Sequence, residues 1–99
     1  MKIISCEHPG LFVYKEAKIP QPQKEEVLVS IRKLGVCGTD LHAFAGNQAF
    51  FTYPRILGHE IAAQVEEPNG SALQPNDPVV VIPYLHCGRC SACSSGKTN

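Results

Sequence analysis

Residues 27–32 read VLVSIR, a run in which Val27, Val29 and Ile31 alternate with the residues between them. Apolar residues at every second position are typical of a β-strand that buries one of its two faces. Residues 61–66, IAAQVE, repeat this alternation, with Ile61 and Val65 on the same face. The two runs predict half-buried strands and a fold organised around antiparallel β-structure.

The rest of the chain alternates short β-type runs with turn residues. Residues 3–4 and 11–14 predict two strands on either side of a turn at residues 8–10, HPG. The apolar run 79–82, which ends at Pro83, predicts a fully buried strand, and residues 39–45 predict the one helix, which Gly46 ends. We therefore predict a mainly β fold, a partly open β-barrel with one short helix and a cysteine-rich lobe near the C-terminal end.

The composition limits the classes of protein to which the chain can belong. With 99 residues, 43% of them hydrophobic, it can bury a core and form one domain. Its 9 Lys and Arg residues balance 9 Asp and Glu residues, which disfavours nucleic acid or an anionic membrane as a partner. The longest aliphatic run, residues 79–82, is far too short to span a membrane. Because no apolar segment precedes residues 1–6, we expect no signal peptide and a cytoplasmic protein.

The cysteines form the densest chemical signal. Three of the 5 cysteines occur in residues 87–93, CGRCSAC, at a spacing that lets thiolates surround one tetrahedral zinc ion. An iron–sulfur cluster is a second interpretation, and three unrelated buried thiols are a third. Three thiolates are one ligand short of a closed structural zinc site, and His86 could supply the fourth only awkwardly because it adjoins Cys87. We therefore expect the chain to be a fragment of a longer protein.

A second group of candidate ligands lies in residues 35–42, GVCGTDLH, and residues 58–60, GHE. Cys37 precedes the predicted helix, whose N-terminal dipole favours a thiolate. His59 has the strand parity of Ile61 and points inward, whereas Glu60 points the other way. An inward histidine and a cysteine that favours the thiolate form would supply half of the ligands of a catalytic metal ion. In the alternative interpretation, Cys37 is a thiol of the core and His59 is a hydrogen-bonded imidazole of the core.

Taken together, these segments resemble the zinc-type alcohol dehydrogenases of the medium-chain dehydrogenase/reductase family. The resemblance covers nearly the whole chain, residues 1–99, as the GroES-like N-terminal part of a catalytic domain. It is carried by residues 35–42, residues 58–60, and the cysteine lobe followed by Gly96-Lys97-Thr98-Asn99. Residues 46–55 and 81–84 are most similar to the bacterial branch that acts on sugar acids and polyols, such as L-galactonate oxidoreductases.

The resemblance implies a role for each matching position. Cys37 and His59 would bind a catalytic zinc ion, with Glu60 as a direct or exchanging ligand and Asp40 accepting the other ring N–H of His59. Thr39 would hold the substrate hydroxyl, and His42, three residues further along the same helical face, would relay its proton. The structural zinc ion would be bound by Cys87, Cys90 and Cys93, with a fourth cysteine just past Asn99.

The same resemblance implies the reaction and its partners. A full-length enzyme would oxidise a secondary alcohol of a small-molecule polyol or sugar acid with NAD or NADP, and would be a homo-oligomer. No Gly-x-Gly-x-x-Gly fingerprint of a dinucleotide-binding domain occurs in the sequence, so the chain would hold the zinc half of the enzyme without the cofactor half and would be inactive alone. Two other classes remain open, a stand-alone zinc-binding interaction module and an iron–sulfur electron-transfer protein.

The aromatic stretch at residues 50–53 has two interpretations. Phe50, Phe51 and Tyr53 are expected to pack as a loop over the core, in preference to lining a substrate pocket. Asn47 and Arg55, at either side of the stretch, could hydrogen-bond a polyhydroxy acid. Cys6 is expected to be a buried thiol of the first strand.

Overall fold

The computed structural model describes residues 1–98, which form two antiparallel sheets and two short helices. Strands β1 and β2 make a hairpin, and β3, β4 and β5 make a three-stranded sheet in that order. The predicted fold class, mainly β with a partly open barrel, is confirmed, since the sheets do not close within the described residues. The elements are β1 (Lys2–His8), β2 (Leu11–Glu16), β3 (Leu28–Gly35), α1 (Gly38–Ala45), β4 (Glu60–Glu67), β5 (Pro78–Val81) and α2 (Ser91–Ser94).

The pairing of β3 with β4 confirms the period-two prediction. Val29 lies opposite Val65, and Ile31 lies opposite Ala63. Val65 is 1% exposed and Ala63 4% exposed, so the odd-numbered face of β4 lines the core. Between Ile31 and Lys33 the register shifts, which leaves Arg32 as the extra residue of a β-bulge.

The prediction of a fully buried strand at residues 79–82 is wrong. Val80 and Ile82 are each 76% exposed, whereas Val79 and Val81 are half-buried. Val80 lies opposite Ala62 of the central strand β4, which is also exposed, so this face of the sheet is uncovered in the described part of the chain and only the other face packs on the core. A continuous apolar run indicates a strand, but its neighbours decide how many of its faces are buried.

Helix α1 matches the predicted helix within one residue and ends as expected at Gly46. Gly46 has a φ of 79°, a left-handed conformation that glycine adopts without strain. The N–H of Gly46 donates to Ala43 O at 3.1 Å, and that of Asn47 donates to His42 O at 2.8 Å. These bonds satisfy carbonyl groups that the end of a helix leaves unpaired. A further helical turn, α2, was not predicted.

The C-terminal half of α1 is held by the β1–β2 hairpin. The N–H of Gly10 donates to Phe44 O at 2.8 Å, and the rings of Phe12 and Phe44 stack at 4.7 Å. On the same side, the Tyr53 hydroxyl donates to Ala43 O. The helix that carries several candidate site residues is therefore fixed at its far end by three separate contacts.

Cys6 connects the hairpin to the loop before β4. It is fully buried in β1, as the sequence predicted, and exchanges backbone hydrogen bonds of 2.8 and 2.9 Å with Arg55. No helix in residues 1–98 has the length and apolar character that crossing a bilayer requires.

Replacing Gly46 by alanine should destabilise the chain more than replacing Gly70. Both glycines have a positive φ, 79° and 84°, so both variants incur the left-handed strain of about 1–2 kcal/mol. At Gly46 the new Cβ would also lie 2.7 Å from Pro9 Cγ, whereas at Gly70 it would meet nothing within 4 Å. Overpacking of this kind costs about 1–3 kcal/mol more.

The free energy of unfolding, measured with urea for wild type, Gly46→Ala and Gly70→Ala, checks this expectation. Equal losses in the two variants would show that the contact between Pro9 and Gly46 does not constrain the end of α1.

Candidate metal centres

The first candidate centre lies where β3 ends and β4 begins. Because the two strands are antiparallel, Gly35 at the end of β3 pairs with Glu60 at the start of β4. Cys37 follows Gly35 by two residues and His59 precedes Glu60 by one, so both side chains project from the same end of the sheet. Cys37 Sγ lies 3.5 Å from His59 Nε2 although the two residues are 22 positions apart.

Asp40 connects these two residues. One carboxylate oxygen, Oδ2, accepts the backbone N–H of Cys37 at 2.9 Å, and the other, Oδ1, lies 3.5 Å from His59 Nδ1. Asp40 is only 9% exposed. Cys37 therefore approaches one nitrogen of the imidazole and Asp40 approaches the other.

The environment of Asp40 favours its charged form. Burial raises the pKa of this carboxyl, but the hydrogen bond from the Cys37 N–H, the adjacent imidazole of His59 and the N–H of Gly58 together outweigh burial. The net pKa of Asp40 lies below its ordinary value of 3.8. A carboxylate beside Nδ1 fixes the tautomer that leaves Nε2 free to ligate a metal ion.

The distance between the two donors suits zinc. Zinc bonds of about 2.3 Å to sulfur and 2.0–2.1 Å to nitrogen, at a tetrahedral angle, place the two donor atoms about 3.6 Å apart. The separation of Cys37 Sγ and His59 Nε2 is 3.5 Å. The donor set and its spacing therefore fit zinc without rearrangement.

Glu60 lies beside this group and not within it. Among residues 1–98, the ligand atoms that gather within 4.8 Å of one another here belong to Cys37, Asp40 and His59. The exposed Glu60 side chain lies over Gly35. A Cβ added to Gly35 would collide with the Glu60 carboxylate and would lie 2.9 Å from the Glu60 Cβ. Its role as a direct or exchanging ligand stays a prediction. A larger residue at position 35 would therefore require the Glu60 side chain to move and the two strands to separate slightly.

Thr39 and His42 lie on the exposed side of α1, in its first and second turns. Three residues apart on a helix, their side chains share one face. Both residues belong to the helix that Cys37 precedes, so they follow this candidate metal ligand closely in the sequence. Their roles as hydroxyl contact and proton relay stay predictions.

The second candidate centre is the cysteine lobe, residues 87–93. Cys93 Sγ lies 3.5 Å from Cys90 Sγ and 3.8 Å from Cys87 Sγ. Two thiolates that share a tetrahedral zinc ion at about 2.3 Å are about 3.8 Å apart, so the lobe also fits zinc. In a 4Fe–4S cluster each cysteine ligates a different iron, which spreads the sulfurs further apart than the distances found here.

The lobe also favours the thiolate form of Cys87. Hydrogen bonds from the backbone N–H groups of Arg89 and Cys90, and from the thiols of Cys90 and Cys93, lower the pKa of Cys87 to about 7. Three sulfur atoms are grouped here, and His86 is outside the group within the described residues. The predicted fourth cysteine is past Asn99, and Asn99 itself lies outside the residues that the structure describes.

The aromatic stretch is only partly packed, so the prediction of a packed loop is wrong for one residue. Phe50 is fully exposed and has a φ of 64°, a strained conformation for a bulky side chain. Phe51 is half-buried beneath the Arg55 guanidinium, and Tyr53 donates to Ala43 O.

Two residues that support the site were missed by sequence reasoning. Gly35 was read only as part of the pattern at residues 35–42, although its missing side chain makes room for Glu60. Tyr53 was grouped with the other aromatic residues, although its hydroxyl holds the end of α1. A hydroxyl beside two phenylalanines was a possible signal for Tyr53, since buried tyrosines normally find a hydrogen-bond partner.

Comparison with known proteins agrees with this geometry. The family described as the alcohol dehydrogenase GroES-like domain matches residues 23–99. L-galactonate-5-dehydrogenase of Escherichia coli K12 is 46% identical over an alignment of 101 positions, which covers 100% of this chain and 30% of that protein. The chain therefore spans about a third of the length of the curated relatives it matches.

Two solved structures extend the similarity to three dimensions. Galactitol-1-phosphate dehydrogenase from Escherichia coli superposes with a TM-score of 0.84 at 33% identity, over 96% of this chain and 28% of that one. A short chain alcohol dehydrogenase from E. coli CFT073, complexed with the cofactor NADH, gives a TM-score of 0.86 at 35% identity, over 99% and 29%. The resemblance found in the sequence is confirmed: the chain belongs to the family of alcohol dehydrogenase GroES-like domains.

Proposed function

We propose that the chain is the zinc-binding part of the catalytic domain of a zinc-dependent oxidoreductase. The full-length enzyme uses NAD or NADP to oxidise a secondary alcohol of a polyol or sugar acid. The observation that carries this proposal is the approach of Cys37 Sγ to His59 Nε2 at 3.5 Å, with Asp40 on the opposite ring nitrogen. This is the arrangement of a histidine ligand oriented by a carboxylate.

The substrate class is supported by the named relatives. L-galactonate-5-dehydrogenase acts on a sugar acid by its name, and galactitol-1-phosphate dehydrogenase acts on a phosphorylated polyol. Both substrates carry several secondary hydroxyl groups. A site open to solvent, with His59 37% exposed, leaves room for such a substrate beside the metal ligands.

Each residue of the site has a separate task in the proposed mechanism. Cys37 and His59 would hold zinc, which when bound would supply a Lewis acid that lowers the pKa of the substrate hydroxyl. Asp40 keeps the His59 ring in place and in the correct tautomer. The Thr39 oxygen would accept the hydroxyl proton of the substrate while the Thr39 O–H gives up its own proton towards His42, whose imidazole would release one proton to solvent. A nicotinamide cofactor, when bound in the full-length enzyme, would supply the hydride acceptor.

The lobe has a structural task in the same proposal. Cys87, Cys90 and Cys93 would bind a second zinc ion, whose coordination would order a segment with little other regular structure. The balanced charge supports a small-molecule substrate over nucleic acid or membrane partners. We propose a cytoplasmic location, where thiol ligands stay reduced, and a homo-oligomeric full-length enzyme.

Asp40→Asn should weaken zinc binding at the first centre about 10- to 100-fold, because asparagine cannot provide the carboxylate that orients a ligating histidine. The apparent zinc affinity of the chain, measured by competition with a chromophoric chelator, gives this number. Cobalt substitution separates the two centres, since Cys37 and His59 form a mixed sulfur and nitrogen site and the lobe a thiolate site.

Asp77→Asn is the matched control for this experiment. Asp77 Oδ2 also accepts a backbone N–H three residues earlier, from Gln74 at 2.8 Å, but it lies in a turn away from both centres. Equal zinc affinity in Asp40→Asn and Asp77→Asn would contradict the orienting role of Asp40 and, with it, the proposed catalytic centre.

In the full-length enzyme, Thr39→Ala should lower kcat about 100-fold or more, the scale expected when a proton-transfer contact is lost. Thr39→Ser should keep most of the activity because only the hydroxyl is needed. His42→Ala should cost less, since small bases in the buffer can take the proton from the outer position. Measuring kcat against buffer concentration for the three variants tests the order of the relay.

The relay order is wrong if buffer restores Thr39→Ala as well as His42→Ala. Wild-type activity in Thr39→Ala would remove Thr39 from the mechanism altogether.

A further inference from the structure

Arg55 carries a positive charge that no acidic side chain in residues 1–98 neutralises. The ion pairs of this part of the chain join Lys15 to Glu7 and His59 to Asp40. The Arg55 guanidinium also donates no hydrogen bond to another described residue. Arg32, by contrast, donates from Nε and Nη2 to Gln64 Oε1, at 3.1 and 2.6 Å. Arg55 therefore keeps its donors available for a ligand.

The position of Arg55 is fixed at both its backbone and its side chain. Its N–H and C=O exchange hydrogen bonds of 2.9 and 2.8 Å with the fully buried Cys6. Its guanidinium carbon lies 4.2 Å from the centre of the Phe51 ring. A guanidinium that stacks on an aromatic face keeps its edge of N–H donors free and loses little entropy when it binds a planar anion.

The loop that carries Arg55 also carries a proposed metal ligand. Arg55 precedes His59 by four residues. Even in a fully extended chain, their Cα atoms would be at most about 13–14 Å apart. Both side chains are accessible to solvent, and that of Arg55 is long. This separation is short enough for one elongated substrate to extend from the metal ligand His59 to the guanidinium.

We propose that Arg55 binds the carboxylate of the substrate, and that the enzyme therefore acts on sugar acids in preference to neutral polyols. The two parallel N–H donors of a guanidinium match the two oxygens of a carboxylate. Phe51 is the residue that positions Arg55 for this contact. This inference rests on the proposed function, because it selects between the two substrate classes of that reaction.

The test compares each of several five- and six-carbon aldonates with the alditol of the same configuration, such as L-galactonate with galactitol, in the full-length enzyme. Wild type should have the higher kcat/KM for the aldonate of the best pair. Arg55→Gln should raise the KM for that aldonate about 10- to 100-fold, with kcat nearly unchanged and the alditol unaffected. Phe51→Leu should raise it less, because the charge remains.

Equilibrium binding gives a second readout that does not depend on turnover. Calorimetric titration of the aldonate into the enzyme without nicotinamide should show the same loss of affinity in Arg55→Gln. Arg32→Gln is the control, since it removes an exposed arginine whose donors already bind Gln64. Its affinity for the aldonate should equal that of wild type.

The possible failures are distinguishable. A wild-type enzyme that prefers the alditol, or an Arg55→Gln variant with unchanged aldonate KM and affinity, overturns the role of Arg55 and leaves the proposed function standing. A wild-type enzyme that oxidises no aldonate and no alditol overturns the proposed function itself.

Discussion

The carboxylate of Asp40 is the constraint on which the candidate catalytic centre depends. With one oxygen it accepts the N–H of Cys37 and so fixes the start of α1, and with the other it lies against the ring of His59 before β4. A buried carboxylate needs such partners, because an unpaired charge in this position would be costly. The same group therefore satisfies a helix N-terminus and aligns two side chains from distant parts of the sequence. Local folding and ligand geometry cannot be changed separately at this residue.

The sequence predicted those features of the site that are encoded locally. The helix after Cys37, its end at Gly46 and the grouping of Cys87, Cys90 and Cys93 all follow from residues a few positions apart, and the structure shows each of them. The approach of Cys37 to His59 was harder to predict, because it requires β3 and β4 to pair in one particular register. Burial was least predictable where it depends on neighbours. Val80 is exposed because it shares with the exposed Ala62 a sheet face that the described chain leaves uncovered, and Phe50 is fully exposed in the loop before β4.

The surface around the first centre remains open in the described chain. Val36 is 70% exposed and Leu41 64% exposed, and the two residues lie on either side of the stretch that contains Cys37, Thr39 and Asp40. Apolar side chains at the rim of a polar centre lower the local dielectric constant once another surface covers them, which strengthens every electrostatic contact inside.

The two centres differ in the length of chain that a bound metal ion would close. Cys37 and His59 are 22 residues apart, whereas Cys87 and Cys93 are separated by 6. The hydrogen bonds between β3 and β4 already compensate for the entropy that is lost when the longer loop closes. This pair of ligands therefore stays preorganised whether or not a metal ion is present. The lobe has only the single turn of α2 to hold its sulfurs together. Chelation would therefore release the lobe by local unfolding while the sheet, and the geometry of the first centre, persist.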